Sequence, residues 1–160
     1  FPGLILALAL MTALGASVNN VAIAIAISIF PSASRTIRSQ VLGVKGNAYV
    51  EAARAIGCSQ MRIMVVHILP QTMAPLLILI SLYLGTSILT EASLSFLGLG
   101  VPPDEPSWGG MINGATKIMN AAPWIAIAPG IAISLAVYGF NLFGDAIRDV
   151  LDPHLRGSQK

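Results

Sequence analysis

Polar and apolar positions fall into long blocks along this chain. From residue 1 to Phe30 no side chain is charged. Within that block Gly15-Ala16-Ser17-Val18-Asn19-Asn20 collects turn-forming and polar residues, so it reads as two helices joined by a short turn. The first covers about 2–15, short for a membrane crossing, and the second about 18–32, ending before Arg35; one long kinked helix is the alternative. A polar stretch, 34–62, holds Arg35, Arg38, Lys45, Arg54 and Arg62 against one acid, Glu51. The next block, 63–98, is apolar again, interrupted by Pro70, Pro75, Gly85 and Glu91. A bilayer core ~30 Å thick takes about 20 helical residues at ~1.5 Å each. This block is too long for one straight crossing, and Pro70 and Gly85 are the expected joints. A loop rich in Gly and Pro, 99–122, carries Asp104, Glu105 and Lys117. The last apolar run, 123–144, leads into a polar tail, 145–160. The pattern predicts an all-α, polytopic transmembrane helix bundle with about four spans.

Composition narrows the class. Hydrophobic residues make up 55% of the chain and charged residues only 10%, whereas a soluble domain carries about 25% charge. With a mean hydropathy of +0.78, the chain has too little charge to shield a soluble core. Its net charge of +2, with no run of Lys or Arg, excludes a nucleic-acid binder. Cys58, the single cysteine, excludes an internal disulfide and a cysteine-cluster metal site; His67 and His154 are isolated. The chain opens Phe1-Pro2-Gly3 without an initiator Met or a basic stretch, and is expected to be a piece of a longer protein.

Charge placement predicts orientation. Five Lys/Arg residues lie in the first loop, one in the second and three in the tail, so the first loop and the tail are expected in the cytoplasm and the second loop outside. Trp108 and Trp124 flank that outer loop, where amphipathic rings favour the interface.

The first loop predicts a short helix. Asn47 can cap Ala48 to Ile56, Gly57 suits the position just past its end, and Ser59 can cap a second helix leading to Pro70. Tyr49, Ala52, Ala53 and Ile56 are expected to share a face. Small residues on an exposed face let another backbone approach, which suggests a docking element; an ordinary helix lying on the membrane surface is the alternative.

These residues carry a family resemblance. Glu51-Ala52-Ala53, three residues, Gly57 and then Leu69-Pro70 resemble the EAA loop of ABC-importer permeases, with the pattern E-A-A-x3-G-x9-I-x-L-P. His67 stands where the pattern has Ile, and the string His67-Ile68-Leu69-Pro70 is similar to the dipeptide, oligopeptide and nickel branch. Further resemblances to that branch are Arg35 to Val41, Glu91-Ala92-Ser93-Leu94-Ser95-Phe96-Leu97-Gly98-Leu99-Gly100, Pro106-Ser107-Trp108-Gly109 and Ala122-Pro123-Trp124. Asn141-Leu142-Phe143-Gly144-Asp145, Arg148-Asp149 and Leu151-Asp152-Pro153 complete the series. A lone E-A-A says little, but ordered matches along nearly the whole chain are specific.

The resemblance implies a type I importer permease, the C-terminal part of the second permease, in the inner membrane of a bacterial or archaeal cell with a cytoplasmic C-terminus. It also implies partners: a second permease subunit, two cytoplasmic ATP-binding subunits that hold ATP and Mg, and a periplasmic or lipid-anchored substrate-binding protein. In that family the EAA loop seats in a cleft of the ATPase; Glu51, Ala52, Ala53 and Gly57 match those positions, and Leu69-Pro70 closes the motif. The cargo would be a dipeptide, an oligopeptide, nickel or a related solute.

The chain itself has no G-x-x-x-x-G-K-[ST] to hold a nucleotide. Its energy is therefore expected from a partner, and it is read as a transport subunit, not an enzyme, with no cofactor of its own. Glu91, a carboxylate inside an apolar run, is a candidate for lining the path of a cationic substrate. A local cap near the second loop is the other reading. Met111, Ile112, Ala115, Ile118, Met119 and Ala122 share a helical face expected to lie along the outer membrane surface. A secondary transporter without an ATPase partner is the competing function, but its spans would more often carry several ionisable groups.

Overall fold

The computed structural model describes residues 2–151, which form helices joined by turns and loops, with no strand among the described residues. Phe1 and the end of the tail, with Asp152-Pro153 and His154, lie outside the described residues.

Two helices open the chain, α1 (Gly3–Leu14) and α2 (Val18–Lys45). The turn between them is held by side chains. Gly15 takes φ +82°, and Asn20 Nδ2 donates to the carbonyls of Leu14 and Gly15 at 2.9 and 3.1 Å, satisfying oxygens that the end of α1 leaves open. The span expected to end near Ser32 belongs to a helix that continues to Lys45. Charge ends a hydrophobic run without ending a helix, and Thr36 and Ser39 hydroxyls donate back to the carbonyls of Ser32 and Thr36 within this extension.

Next come α3 (Ala48–Ala55) and a continuous helical run over Gln60–Phe96. That run comprises α4 (Gln60–Arg62), a π-helical turn (Ile63–Ile68) and α5 (Leu69–Phe96). The joint expected at Pro70 is this π turn. Leu69 N–H reaches back to the Met64 carbonyl, and the wider turn precedes a proline that lacks an N–H and crowds the carbonyl four residues before it. At Gly85, the other expected joint, α5 runs on as helix. Gly85 is buried inside α5, and a Cβ there would stand 3.5 Å from Asn141 Oδ1 and 3.6 Å from Val137 Cγ1. Its small size serves a close approach of another helix.

Beyond α5, the predicted loop contains α6 (Trp108–Ala115) and a short 3-10 turn, Thr116–Ile118. The chain continues into α7 (Trp124–Leu151), past the expected end of the span at 144. Among the described residues three helices are long and apolar enough to cross a membrane: Val18–Lys45, Gln60–Phe96 and Trp124–Val150. At 12 residues α1 is ~18 Å long, shorter than a ~30 Å core, and stands beside these three as a shorter apolar helix.

Residue contacts divide the chain into two compact units. One comprises the described residues up to Pro31 and Leu82–Asn141; the other takes Ser32–Ser81 and the described residues from Leu142 on. The first is built around Ala7, Met11, Val21, Ala24, Ile25 and Leu94, with Leu99 and Val101 packed against them. In the second, Val50, Ala53, Ile63 and Ile68 form the core, flanked by Val41, Val44 and Cys58.

Candidate functional site

The α3 helix and its exit turn form the candidate coupling element. Asn47 stands at the N-cap position with extended backbone (φ −74°, ψ 143°) and its carbonyl accepts from Val50 and Glu51 N–H. Its side chain, expected to cap the helix, makes no capping bond. Asn47 Nδ2 points instead to the Tyr49 hydroxyl at 3.5 Å.

The exit is sharply defined. Gly57 has φ +82°, and its N–H donates to the Arg54 carbonyl at 3.0 Å while Cys58 N–H donates to the Ala53 carbonyl at 3.1 Å. This pair of bonds is a Schellman closure, which needs a residue at ease with positive φ, and glycine supplies it. Cys58 then packs with Val50 and Ala53, the apolar contact that accompanies such closures. Ser59 follows as a working N-cap, its hydroxyl accepting from Arg62 N–H at 3.4 Å.

Burial sorts the α3 side chains into two faces. Val50 (0% exposed) and Ala53 (6%) turn inward against Ile63, Ile68, Val41 and Val44. Tyr49, Glu51, Ala52 and Ile56 face outward, with Ile56 81% exposed. The expectation that Ala53 shares the exposed face with Ala52 is therefore corrected. Successive helical residues are about 100° apart, so when Val50 seeks the core, Ala53 goes with it and Ala52 does not. Sequence reasoning missed Val50 as the anchor, although Val50 and Ala53 stand at the i, i+3 spacing of a buried face.

The structure thus brings Glu51, Ala52, Ala53 and Gly57 together on one helix and its turn. Leu69 and Pro70 open α5 just after the π turn, and both are exposed. They join the element through Ile63 and Ile68, which pack on Ala53 from the π turn between.

Glu91 lies in the other unit, half-buried near the end of α5. Its Oε1 accepts a hydrogen bond from Ser95 Oγ at 2.6 Å, and the same serine oxygen accepts from Val101 N–H at 3.1 Å. The helix end beside it is a second Schellman closure. Gly98 has φ +78°, Gly98 N–H donates to the Ser95 carbonyl and Leu99 N–H to that of Leu94.

The α6 helix rests on that same turn. Ser107 caps it by accepting from Gly110 N–H at 3.0 Å, Gly109 is buried against the Ala92 backbone, and Asn113 Nδ2 donates to the Phe96 carbonyl. The outward face expected of this segment is mixed. Met111, Ile118 and Met119 are exposed, whereas Ala115 is 1% exposed and belongs to the packed side. Among the described residues no three His, Cys, Asp or Glu side chains gather as a metal site.

Comparison with known proteins supplies the family. The chain matches the sequence model of the binding-protein-dependent transport system inner membrane component over residues 1–157. It is 46% identical over 157 residues to the glutathione transport system permease protein GsiD of Escherichia coli O157:H7, of Shigella flexneri serotype 5b (strain 8401) and of Shigella sonnei (strain Ss046). Each alignment covers 98% of this chain and 52% of the relative, so the chain spans about half the length of the curated relatives it matches. With three helices able to cross a bilayer, a family match over nearly its whole length and relatives that are transport permeases, the chain belongs to the inner-membrane component family of binding-protein-dependent transport systems.

Proposed function

We propose that this chain forms part of the translocation path of an ATP-driven importer and takes its motion from a cytoplasmic ATPase through α3. The observation that carries this reading is the division of labour on α3. Val50 and Ala53 bind the helix to its own chain, and Tyr49, Ala52 and Ile56 remain outside as a low, largely apolar face. An apolar face held on a short, firmly closed helix is suited to seating in a partner's cleft. Glu51, at the rim, adds a charge that can orient it.

In this reading the assembly contains a second permease subunit, two ATP-binding subunits and a substrate-binding protein outside. ATP and Mg are held by the ATPase subunits, whose closure on ATP carries α3 with it and shifts the spans between inward- and outward-open states. The loop 34–62 and the tail then lie in the cytoplasm and the 99–122 loop outside, as the bias of Lys and Arg suggests. Similarity to permeases named for glutathione transport favours a short peptide-like cargo over nickel.

Ala52→Glu tests the docking face, because Ala52 is exposed and its loss leaves the α3 core intact. The expected result is normal membrane insertion with loss of ATPase co-purification and of ATP-dependent uptake. Full co-purification with wild-type uptake would overturn the assignment.

A further inference from the structure

We infer that Glu91 and Ser95 are positioning residues that fasten α6 and the loop before it to the end of α5, with Glu91 acting as a hydrogen-bond acceptor and not as a charge in the path. The inference rests on the permease reading for its functional consequence, but its geometry stands apart from it.

The serines and threonines of α5 show what Ser95 does differently. Thr86, Ser87, Thr90 and Ser93 all donate to carbonyls of their own helix, three or four residues back. Such back-bonding is the ordinary fate of a helical hydroxyl. Ser95 has the same option but gives its proton to the Glu91 carboxylate at 2.6 Å. The side-chain oxygen is a free acceptor, whereas each carbonyl three or four residues back already takes a helix N–H. The hydroxyl is thereby held with its oxygen toward the loop, where it accepts the Val101 N–H at 3.1 Å. The relay runs from backbone to serine to carboxylate, with the serine only 5% exposed.

Space around the relay is as restricted as its polarity. A Cβ on Gly100 would stand 2.6 Å from Ser95 Cα and 2.5 Å from Ser95 N, so the loop lies directly on the turn that carries the serine. On Gly109 a Cβ would stand 2.7 Å from Ala92 Cα, so α6 lies on the preceding residues of the same turn. Asn113 closes the arrangement through the Phe96 carbonyl. The end of α5, from Glu91 to Phe96, is therefore a seat for Gly100 and Val101 of the loop and for Gly109 and Asn113 of α6. The relay sets the register of the chain on that seat.

The two readings of Glu91, path-lining charge and local fastener, differ over what its replacement does. As an acceptor, Glu91 can be replaced by Gln, whose carbonyl oxygen still takes the Ser95 proton. As a charge lining a cation path, it cannot.

The test is amide hydrogen exchange, read by mass spectrometry on the assembled transporter, together with uptake of trialanine and trilysine in proteoliposomes. Glu91→Leu and Ser95→Ala are each expected to raise exchange over Gly98–Ala115 roughly tenfold. Glu91→Gln should stay within about twofold of the unaltered protein. Ala48–Cys58 serves as the internal folding control and should not change. Uptake of both peptides should fall by the same factor in Glu91→Leu and recover in Glu91→Gln.

Unchanged exchange in both Glu91→Leu and Ser95→Ala would overturn the fastener. Selective loss of trilysine uptake in Glu91→Gln would return Glu91 to the path. If Glu91→Leu does not assemble, Ser95→Ala, which removes one oxygen, decides the matter. Uptake of neither peptide by the unaltered complex would count against the cargo reading and leave the exchange result to judge the fastener alone.

Discussion

Replacing Gly57 isolates the effect of backbone conformation on coupling, because the structure removes the usual confounding factor of volume. Nothing lies within 4 Å of where a Cβ would stand, so a side chain there meets open space. What remains is φ, at +82°. A non-glycine L-residue in this region costs ~1–2 kcal/mol, and asparagine, whose short polar side chain tolerates it, less than about 1 kcal/mol. A β-branched side chain is worse than alanine there. For Gly57→Ala the ratio of native to altered turn should shift roughly 5- to 30-fold. The Gly57 and Cys58 N–H bonds that close α3 would be lost in the altered turn, and the Tyr49, Ala52 and Ile56 face would leave its working angle.

The expected order of damage is then Asn, Ala, Val from mildest to most severe. That order is diagnostic, since alanine is smaller than asparagine and a volume effect would reverse the first two. The assay is uptake per ATP hydrolysed by the assembled complex in proteoliposomes, with the amount of permease in the membrane measured alongside. Insertion should be unchanged in all three variants, because Gly57 lies outside the three helices able to span a membrane. Gly57→Ala coupling better than Gly57→Asn, or Gly57→Val importing at the wild-type level, would refute the reasoning.

Three further outcomes follow from the packing. Val50→Ala removes two methyl groups from a fully buried position; ~2 kcal/mol of lost burial and cavity formation should lower the exchange protection of α3 amides about 30-fold. Gly109→Ala puts a Cβ against backbone, 2.7 Å from Ala92 Cα and 2.8 Å from its carbonyl carbon, which no rotamer change can relieve. Overpacking of ~1–3 kcal/mol should appear as a lower thermal unfolding midpoint of the purified complex and faster proteolysis within 99–107. Asn20→Ala leaves the carbonyls of Leu14 and Gly15 without its amide. At ~0.5–1.5 kcal/mol the loss should raise exchange at the end of α1.

The parts of this fold legible in sequence are those set by the bilayer or by local chemistry. Long apolar blocks mark the helices that can cross, and the capping serine and glycine around α3 act within a few residues of themselves. Partners far along the chain are what sequence could not show. Gly85 and Gly98 are the same residue on the same segment, yet one is buried beside Val137 and Asn141 while the other turns the chain at φ +78°. The Gly- and Pro-rich loop that follows marks Gly98 as a helix end, but nothing beside Gly85 tells that it faces Val137 and Asn141. Asn113 is likewise an ordinary loop residue until Phe96, seventeen positions earlier, is found beside it. The Glu91–Ser95 pair was more accessible, since a carboxylate and a hydroxyl four apart on a helix are neighbours; only the Val101 bond needed the structure.

Ala52 and Ala53 make the same point at the coupling element. Two identical side chains in succession carry no signal as to which one faces in. Val50 decides it by its place in the core, which puts Ala53 three residues on against Ile63 and Ile68. The methyl of Ala53 lets α3 lie close to its own chain, and a larger residue there would lift the helix off Val41 and Val44. Ala52 leaves the opposite side low between Tyr49 and Ile56, and a larger residue there would hold a partner away without disturbing α3. A bulky substitution at Ala53 should therefore lose α3 exchange protection and coupling together, whereas one at Ala52 should lose coupling alone. Parallel loss of both properties at Ala52 would mean that the two faces have been assigned the wrong way round.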